Sequence, residues 1–413
     1  MGDGVEPLTV ACRFGRVQVG RHVMPANVVL PAHANIVITR GLQEWACLLP
    51  QDLPFTTAAR LLGWQAHEPR VLSASTVRTM VREQGQAIRQ AAQAEASALL
   101  RRDDMAALEP RLVPPTQPRR RAGWPTELST AVDVALAAGD ARPPVGVRYA
   151  DWDCVLTARR QEATLTREEL RHLGSEVEHN QVLLTMDEVL TRQAQPHQFW
   201  TLRTARLTTA RGTRHLSGRG DGLLRQVQAL TRVCRGGGQP LLLIADGARW
   251  IRTFFAETLT ARPGATMILD WWHLRKKCAD LSSMICAGRR AKRSFLLPLV
   301  RRLWRGEVDA ALAHLRAYRP TAKNQEKLDE LISYLDERRA YLPDYRYRRR
   351  LRRYIGSGHS EKDNDLLVAR RQKGKGMHWS AETSDGLAAL QTIRLNRAWG
   401  TYWCDHVVLP LIA

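Results

Sequence analysis

Three acidic residues stand where phosphoryl chemistry could use them. Asp187 follows the apolar run VLLTM, Asp246 follows LLLIA, and Glu361 opens a helix just after Gly358. Taken singly, an Asp past an apolar run is usually a loop cap or turn residue. On neighbouring strands the two Asp mean more, because close carboxylates repel unless a cation neutralises them. Hard divalent ions with oxygen ligands suit such a pair. Two such ions about 4 Å apart, bridged by carboxylates, drive in-line displacement at a phosphodiester. Glu361 is the candidate third acid, though a Glu in a first helical turn is also favoured by the helix dipole alone. Asp363 and Asp365 flank it. Asp151 and Asp153, in VRYADWDCVL, rival Asp187 as the first acid. Asp187 is preferred because a hairpin and a helix follow it in the right order. Glu188 would point to the opposite face if the strand continues.

The elements around these acids read as β-β-β-α-β-α-β over residues 181–270. QVLLTMDEVL is a buried strand, and HQFWTLRTARLTTARGTRHLSG a hairpin around Ala210–Gly212. DGLLRQVQALTRVC has helical spacing, with apolar residues at 223, 224, 227 and 230. GGGQPLLLIADG is a strand stopping at Asp246-Gly247, ARWIRTFFAETL a helix, and ATMILDWWH a short strand. Three consecutive strands followed by alternation predict a mixed sheet in an α/β layer architecture. The first and fourth strands can then lie side by side and bring Asp187 to Asp246. From Leu274 to Tyr354 the pattern is helical and basic. Gly356-Ser357-Gly358 breaks it, and helices follow over 360–373 and 381–400.

Upstream, residues 8–40 alternate as short strands, and the pattern turns helical from Gly41. Ser73 or Ser75 caps a long Ala-rich helix, and Leu112–Pro125 is a Pro-rich basic linker. The helices Thr56–Gly63 and Ser73–Gln84 suggest a helix-turn-helix presenting Ser75, Thr76, Arg78 and Thr79 to a DNA groove. The connection Trp64–Leu72 is longer than the usual turn.

The chain has 413 residues, 62 Lys and Arg against 41 Asp and Glu, and a net charge of +21, with Arg far outnumbering Lys. Such an excess is the footprint of a polyanion binder, and Arg suits bidentate phosphate contacts. Basic runs lie at 119–121, 289–293 and 346–353. Arg346, Arg348, Arg349 and Arg350 in the last run, with Arg370, Arg371 and Lys373 after the third acid, are the expected backbone-phosphate contacts. Tyr345, Tyr347 and Tyr354 interleave the last run. The seven Cys form no CxxC pair, which argues against a structural zinc site or a disulfide framework. No apolar run approaches the ~18 residues of a membrane span, and the polar, acidic start does not read as a secretory signal. A reducing cytoplasm is the expected location.

Five ordered signatures resemble the DDE transposases of insertion sequences, in particular the ISKra-type group related to mutator-like elements. They are VLLTMDEVLTR, FWTLRTARLTTARGTRHLSG, LLLIADGARWI, ILDWWH and GSGHSEKDNDLLVARRQKGKGMHWS. The resemblance covers residues 180–400 well and 1–100 loosely. It implies an RNase H-like mixed sheet interrupted by an all-helical insertion. The implied divisions are a β-rich segment (1–49), a helical DNA-binding region (50–110), a linker and connector (111–180), a first core segment (181–274), the insertion (275–350) and a second core segment (351–413). It also implies that Asp187, Asp246 and Glu361 hold two Mg²⁺ or Mn²⁺ ions and catalyse strand cleavage and strand transfer. Asp270 and His273 form a D-x-x-H that alone reads as packing or hydrogen bonding, and the resemblance puts it beside the active site. The implied partners are double-stranded DNA, as element ends and target, and further copies of the chain in a homodimer or higher oligomer. The implied setting is the bacterial nucleoid. A catalytically inactive DNA-binding descendant and a structure-specific nuclease are the alternatives.

Overall fold

The computed structural model describes residues 8–12, 15–19, 28–29, 36–103, 126–138, 181–195, 197–209, 212–236, 238–351 and 353–408. Asp151, Asp153 and the Pro-rich linker lie outside the described residues.

Four short strands come first: β1 (Leu8–Cys12), β2 (Gly15–Val19), β3 (Val28–Val29) and β4 (Ile36–Thr39). They form a sheet of order β2-β1-β4-β3 in which β1 runs antiparallel to β2 and parallel to β4. Helices α1 (Arg40–Leu48), α2 (Phe55–Gln65) and α3 (Ala74–Leu100) follow, then α4 (Thr126–Ala138). Ser73 caps α3, accepting from the Thr76 amide at 3.0 Å.

The second sheet is built from β5 (Val182–Arg192), β6 (Phe199–Thr209), β7 (Gly212–Gly218), β8 (Leu241–Ala245) and β9 (Ala265–Leu269). Its order is β7-β6-β5-β8-β9. The first three strands form an antiparallel meander, and β8 and β9 add parallel to β5. The mixed α/β architecture expected from the sequence is therefore present. Helix α5 (Gly220–Cys234) links β7 to β8, and α6 (Arg249–Thr258) links β8 to β9. Long parallel crossovers of this kind need such helices.

Alternation along β5 sorts its residues between two faces. Val182, Leu184 and Met186 join the main core, together with Leu223, Val227 and Leu230 of α5. Leu183 joins Leu242, Ile244 and Ile268 on the other face.

A helical layer follows β9: α7 (Trp271–Ile285), α8 (Gly288–Trp304), α9 (Val308–Tyr318), α10 (Gln325–Glu337) and α11 (Tyr345–Arg350). It starts four residues earlier than the sequence boundary at 275, because Asp270 is already the cap of α7. These helices bury their own core, including Leu274, Leu281, Phe295, Leu312 and Leu331. Tyr345 ties it to the sheet by donating from its hydroxyl to the Leu269 carbonyl at 2.8 Å.

The chain then returns through α12 (Gly358–Asn364), a π-helical turn (Asp365–Ala369) and a short α-helical turn (Arg370–Gln372). It ends in α13 (Ala381–Leu395) and α14 (Trp399–Asp405). The described residues of the 50–110 region, 50–103, do not bury a core of their own. Val77, Val81, Ile88, Ala92 and Ala96 of α3 pack in one core with the sheet, α5 and α13. Much of the helix expected to read DNA thus supports the sheet. No helix among the described residues is long and apolar enough to cross a membrane.

Candidate active site

The parallel pairing of β5 with β8 sets Thr185 opposite Ile244. Two residues further on come Asp187 and Asp246, so equal offsets bring the acids to the same level. Asp187 is not at a strand end as the sequence suggested: β5 runs on to Arg192, paired with β6 throughout. What ends near Asp187 is the partner, since β8 stops at Ala245. Asp246 lies in the turn beyond, accepting from the Ala248 amide at 2.9 Å. Gly247 makes that turn with φ of 78°, and a Cβ there would lie 2.5 Å from Leu269 Cδ1. Burial raises the Asp187 carboxyl above its ordinary value, and the charge of Asp246 raises it further. Glu188, on the other face, is exposed.

His273 lies on the first turn of α7 with its Nδ1 3.6 Å from Asp270 Oδ1. Asp270 raises the His273 imidazole above its ordinary value, and Asp187 and Asp246 add to the effect. The imidazole thus sits within the field of both acids. Asp270 is buried; although burial alone would raise its carboxyl, hydrogen bonds from His273 and Ser357 bring it down to about 2. Its Oδ1 accepts from the amides of Trp272 and His273, and its Oδ2 from the amide and hydroxyl of Ser357. The Gly-Ser-Gly break is therefore fastened to the start of α7. The two Trp of DWWH separate in role. Trp271 is buried, its ring centroid 4.7 Å from that of Trp304 and 5.0 Å from that of Tyr345. Trp272 is 54% exposed.

The third segment meets the sheet through Asn364 and Thr204, which the sequence did not single out, and through Asp363, noted there only as a flanking acid. Asn364 Nδ2 donates to Asp187 Oδ2 at 2.6 Å, and Thr204 Oγ1 donates to Asn364 Oδ1 at 2.6 Å. Thr204 is the cross-strand partner of Asp187. Asp363 is 3% exposed, with Oδ1 3.5 Å from Arg206 Nη1 and 3.4 Å from His215 Nδ1. Arg206 and His215 are themselves a cross-strand pair. Consecutive residues of α12 thus stand over successive cross-strand pairs. Glu361 is one turn earlier, on the helix face of Asn364. It is exposed. Among the described residues no group of three His, Cys, Asp or Glu is close enough to form a complete metal shell. Nothing in the sequence marked Thr204 or Asn364.

The expected DNA contacts divide. Ser75 and Thr76 both hydrogen bond through their hydroxyls to Ser73, 2.7 Å away in each case. Arg78 and Thr79 are exposed on α3, and the Arg78 guanidinium lies 5.5 Å from the Phe55 ring centre. Arg371 is committed to packing. Its Nε donates to the Pro50 carbonyl at 2.6 Å, and its guanidinium lies 4.9 Å from the Trp379 ring. Arg346, Arg349, Arg370 and Lys373 are exposed, Arg348 donates to the Tyr354 carbonyl at 2.9 Å, and Arg350 is half-buried. The Trp379 of GMHWS seats that motif on the sheet: its amide donates to the Arg192 carbonyl at 3.0 Å.

No family model matches the chain, and no curated protein matches it.

Proposed function

We propose that the chain is a metal-dependent DNA transposase of an insertion sequence, with an RNase H-like core. The observation that carries this reading is the level placement of Asp187, within β5, and Asp246, in the turn just past the end of the adjacent parallel strand β8. Burial and mutual repulsion leave that pair wanting a counter-ion. The antiparallel meander followed by two parallel strands supports the fold reading, as does the helical layer between β9 and α12. The strongly basic composition supports a DNA partner.

The donor set fits the implied ions: Asp187, Asp246 and Glu361 are all oxygen ligands, the class that Mg²⁺ and Mn²⁺ take. When bound, the two ions would supply Lewis-acid activation of the attacking oxygen and stabilisation of the leaving one. The chain does the rest. Asp270 aims His273 and shifts its imidazole toward the protonated form, beside the place where a phosphate would meet the acids. Ser357 fixes Asp270 in turn. The basic surfaces of α8 and α11 and the residues after α12 hold DNA backbone. Cleavage and joining would use this site in turn, within a homodimer or larger assembly on element ends in the bacterial cytoplasm.

The test uses the purified chain and a supercoiled plasmid carrying the DNA that flanks its gene. Wild type should cleave and join strands with Mg²⁺ or Mn²⁺. Asp187→Ala, Asp246→Ala and Glu361→Ala should each abolish both steps while DNA binding persists. Cleavage without joining would make the protein a nuclease. Binding without either step, in wild type as in the variants, would leave a DNA-binding protein with no catalysis.

A further inference from the structure

Asn364 is joined to the first acid and to Thr204 by two short hydrogen bonds, and its side chain has a second way to satisfy both neighbours. As described, the amide hydrogen faces Asp187 Oδ2 at 2.6 Å and the amide oxygen accepts from Thr204 Oγ1 at 2.6 Å. A carboxamide carries two donors on one end and an acceptor on the other, and a hydroxyl both donates and accepts. Turned over about its last torsion, Asn364 would present Oδ1 to the acid and donate from Nδ2 to Thr204 Oγ1. Thr204 would then need a new acceptor for its own proton. One is at hand, because the Asp187 main-chain carbonyl lies 3.4 Å from Thr204 Oγ1.

The two orientations answer to different charge at the acids. With bare carboxylates, an N–H beside Asp187 is favourable and an amide oxygen would be repelled. With a divalent cation on Asp187, the N–H would face a positive charge, and an amide oxygen becomes a ligand of the kind hard cations accept. The turnover is rotation about one broad, roughly two-fold torsion.

We propose that Asn364 is a metal-responsive ligand: its amide guards Asp187 in the metal-free protein and turns over to give Oδ1 to the incoming ion, with Thr204 as the relay that stays hydrogen-bonded to Asn364 in both orientations. The inference rests on the metal-site reading above and adds a neutral fourth donor to its three acids. It also explains why the residue that touches Asp187 from α12 is an amide and not a carboxylate. A second buried acid there would add repulsion in the absence of metal.

The experiment uses the full chain labelled with ¹⁵N at its Asn side chains, with the Asn364 resonance identified from its loss in Asn364→Leu. Mg²⁺ alone is titrated, and its affinity is read independently from the rise in melting temperature. Both Asn364 amide protons should shift and saturate at the midpoint of the melting curve. Asn364→Leu should weaken Mg²⁺ roughly 10- to 100-fold. Thr204→Val, which removes the relay, should weaken it about 2- to 10-fold. Asn364→Asp, which keeps an oxygen but cannot donate, should lower the metal-free melting temperature and retain Mg²⁺ binding. If Mg²⁺ stabilises wild type but not Asp187→Ala, yet leaves the Asn364 resonance unmoved and binds Asn364→Leu as tightly, Asn364 is no ligand and the metal site stands without it. If Mg²⁺ fails to stabilise wild type, the metal-site reading falls and this proposal with it.

Discussion

Gly85 of α3 and Gly386 of α13 meet backbone to backbone: a Cβ on Gly85 would lie 2.2 Å from the Gly386 Cα. A Cβ on Gly386 would lie 2.6 Å from the Val81 carbonyl oxygen. One helix turn away, Arg89 and Asp385 close the contact with an ion pair at 2.9 Å. The early helices are thereby fixed to the chain that follows the third acid.

Gly85→Ala and Gly386→Ala should each destabilise the protein by about 1–3 kcal/mol, the usual cost of overpacking a tight contact. Urea melts monitored by circular dichroism measure it. Unchanged midpoints for both variants would mean that the two helices do not approach this closely.

Asp187→Asn should raise the melting temperature of the metal-free protein at pH 7. The folded-state carboxyl is raised by burial and by Asp246, so its charge is unfavourable once pH exceeds its unfolded value. The gain should shrink as pH falls toward the ordinary Asp range, where wild type is protonated too. A variant less stable than wild type at pH 7 without metal would contradict the repulsion argued for the acid pair.

Asp270→Asn has the opposite sign. The Asp270 carboxyl is held at about 2, below its ordinary value, so its stabilisation is present above that ordinary value and lost as pH falls through about 2. The substitution should cost about 2 kcal/mol at pH 7, from a weakened cap and buried hydrogen bonds left unmade. Melts at pH 7, 5 and 3 should show the deficit narrowing only in the most acid sample.

Asp363→Ala should not be silent, although Asp363 touches neither of the first two acids. It leaves Arg206 and His215 without their buried counter-charge, a loss of roughly 3 kcal/mol for such a pair. Cleavage should fall as well, because α12 loses the contact that sets its rotation over the sheet. Wild-type stability together with wild-type cleavage would remove Asp363 from any positioning role.

Arg346→Ala and Arg371→Ala should separate DNA contact from packing. The first should lower the log–log salt slope of DNA binding by about 0.9 with little change in melting temperature. Arg371→Ala should lower the melting temperature and leave the slope alone. The reverse result would exchange their roles.

The strands and the pairing of Asp187 with Asp246 are legible in the sequence because they depend on local pattern. Apolar runs such as VLLTM and LLLIA specify buried strands, and meander followed by crossover sets the first strand against the fourth. Asn364 is not legible there. A polar residue three positions after Glu361 reads as surface until the rotation of α12 is known, and that rotation depends on Asp363 finding Arg206 and His215. Helix α3 misleads for a similar reason. Ser75, Thr76, Arg78 and Thr79 make its first turns look like a reading head. Gly85, Ala92 and Ala96 further along mark a packing surface whose partner is remote in the chain, as the Arg89–Asp385 separation of 296 residues shows.

The helical layer from α7 to α11 leaves the sheet and rejoins it at one point. The Trp271 amide donates to the Ile355 carbonyl at 3.0 Å, and Asp270 grips Ser357. An inserted unit whose two ends touch can be exchanged for another, or for a short turn, without moving the strands on either side. The molecule is therefore built as a fixed sheet with a helical cassette plugged into its rim. On the proposed function, the cassette with its Arg-rich α8 and α11 could be re-cut to follow a different path of DNA while Asp187 and Asp246 stay where they are.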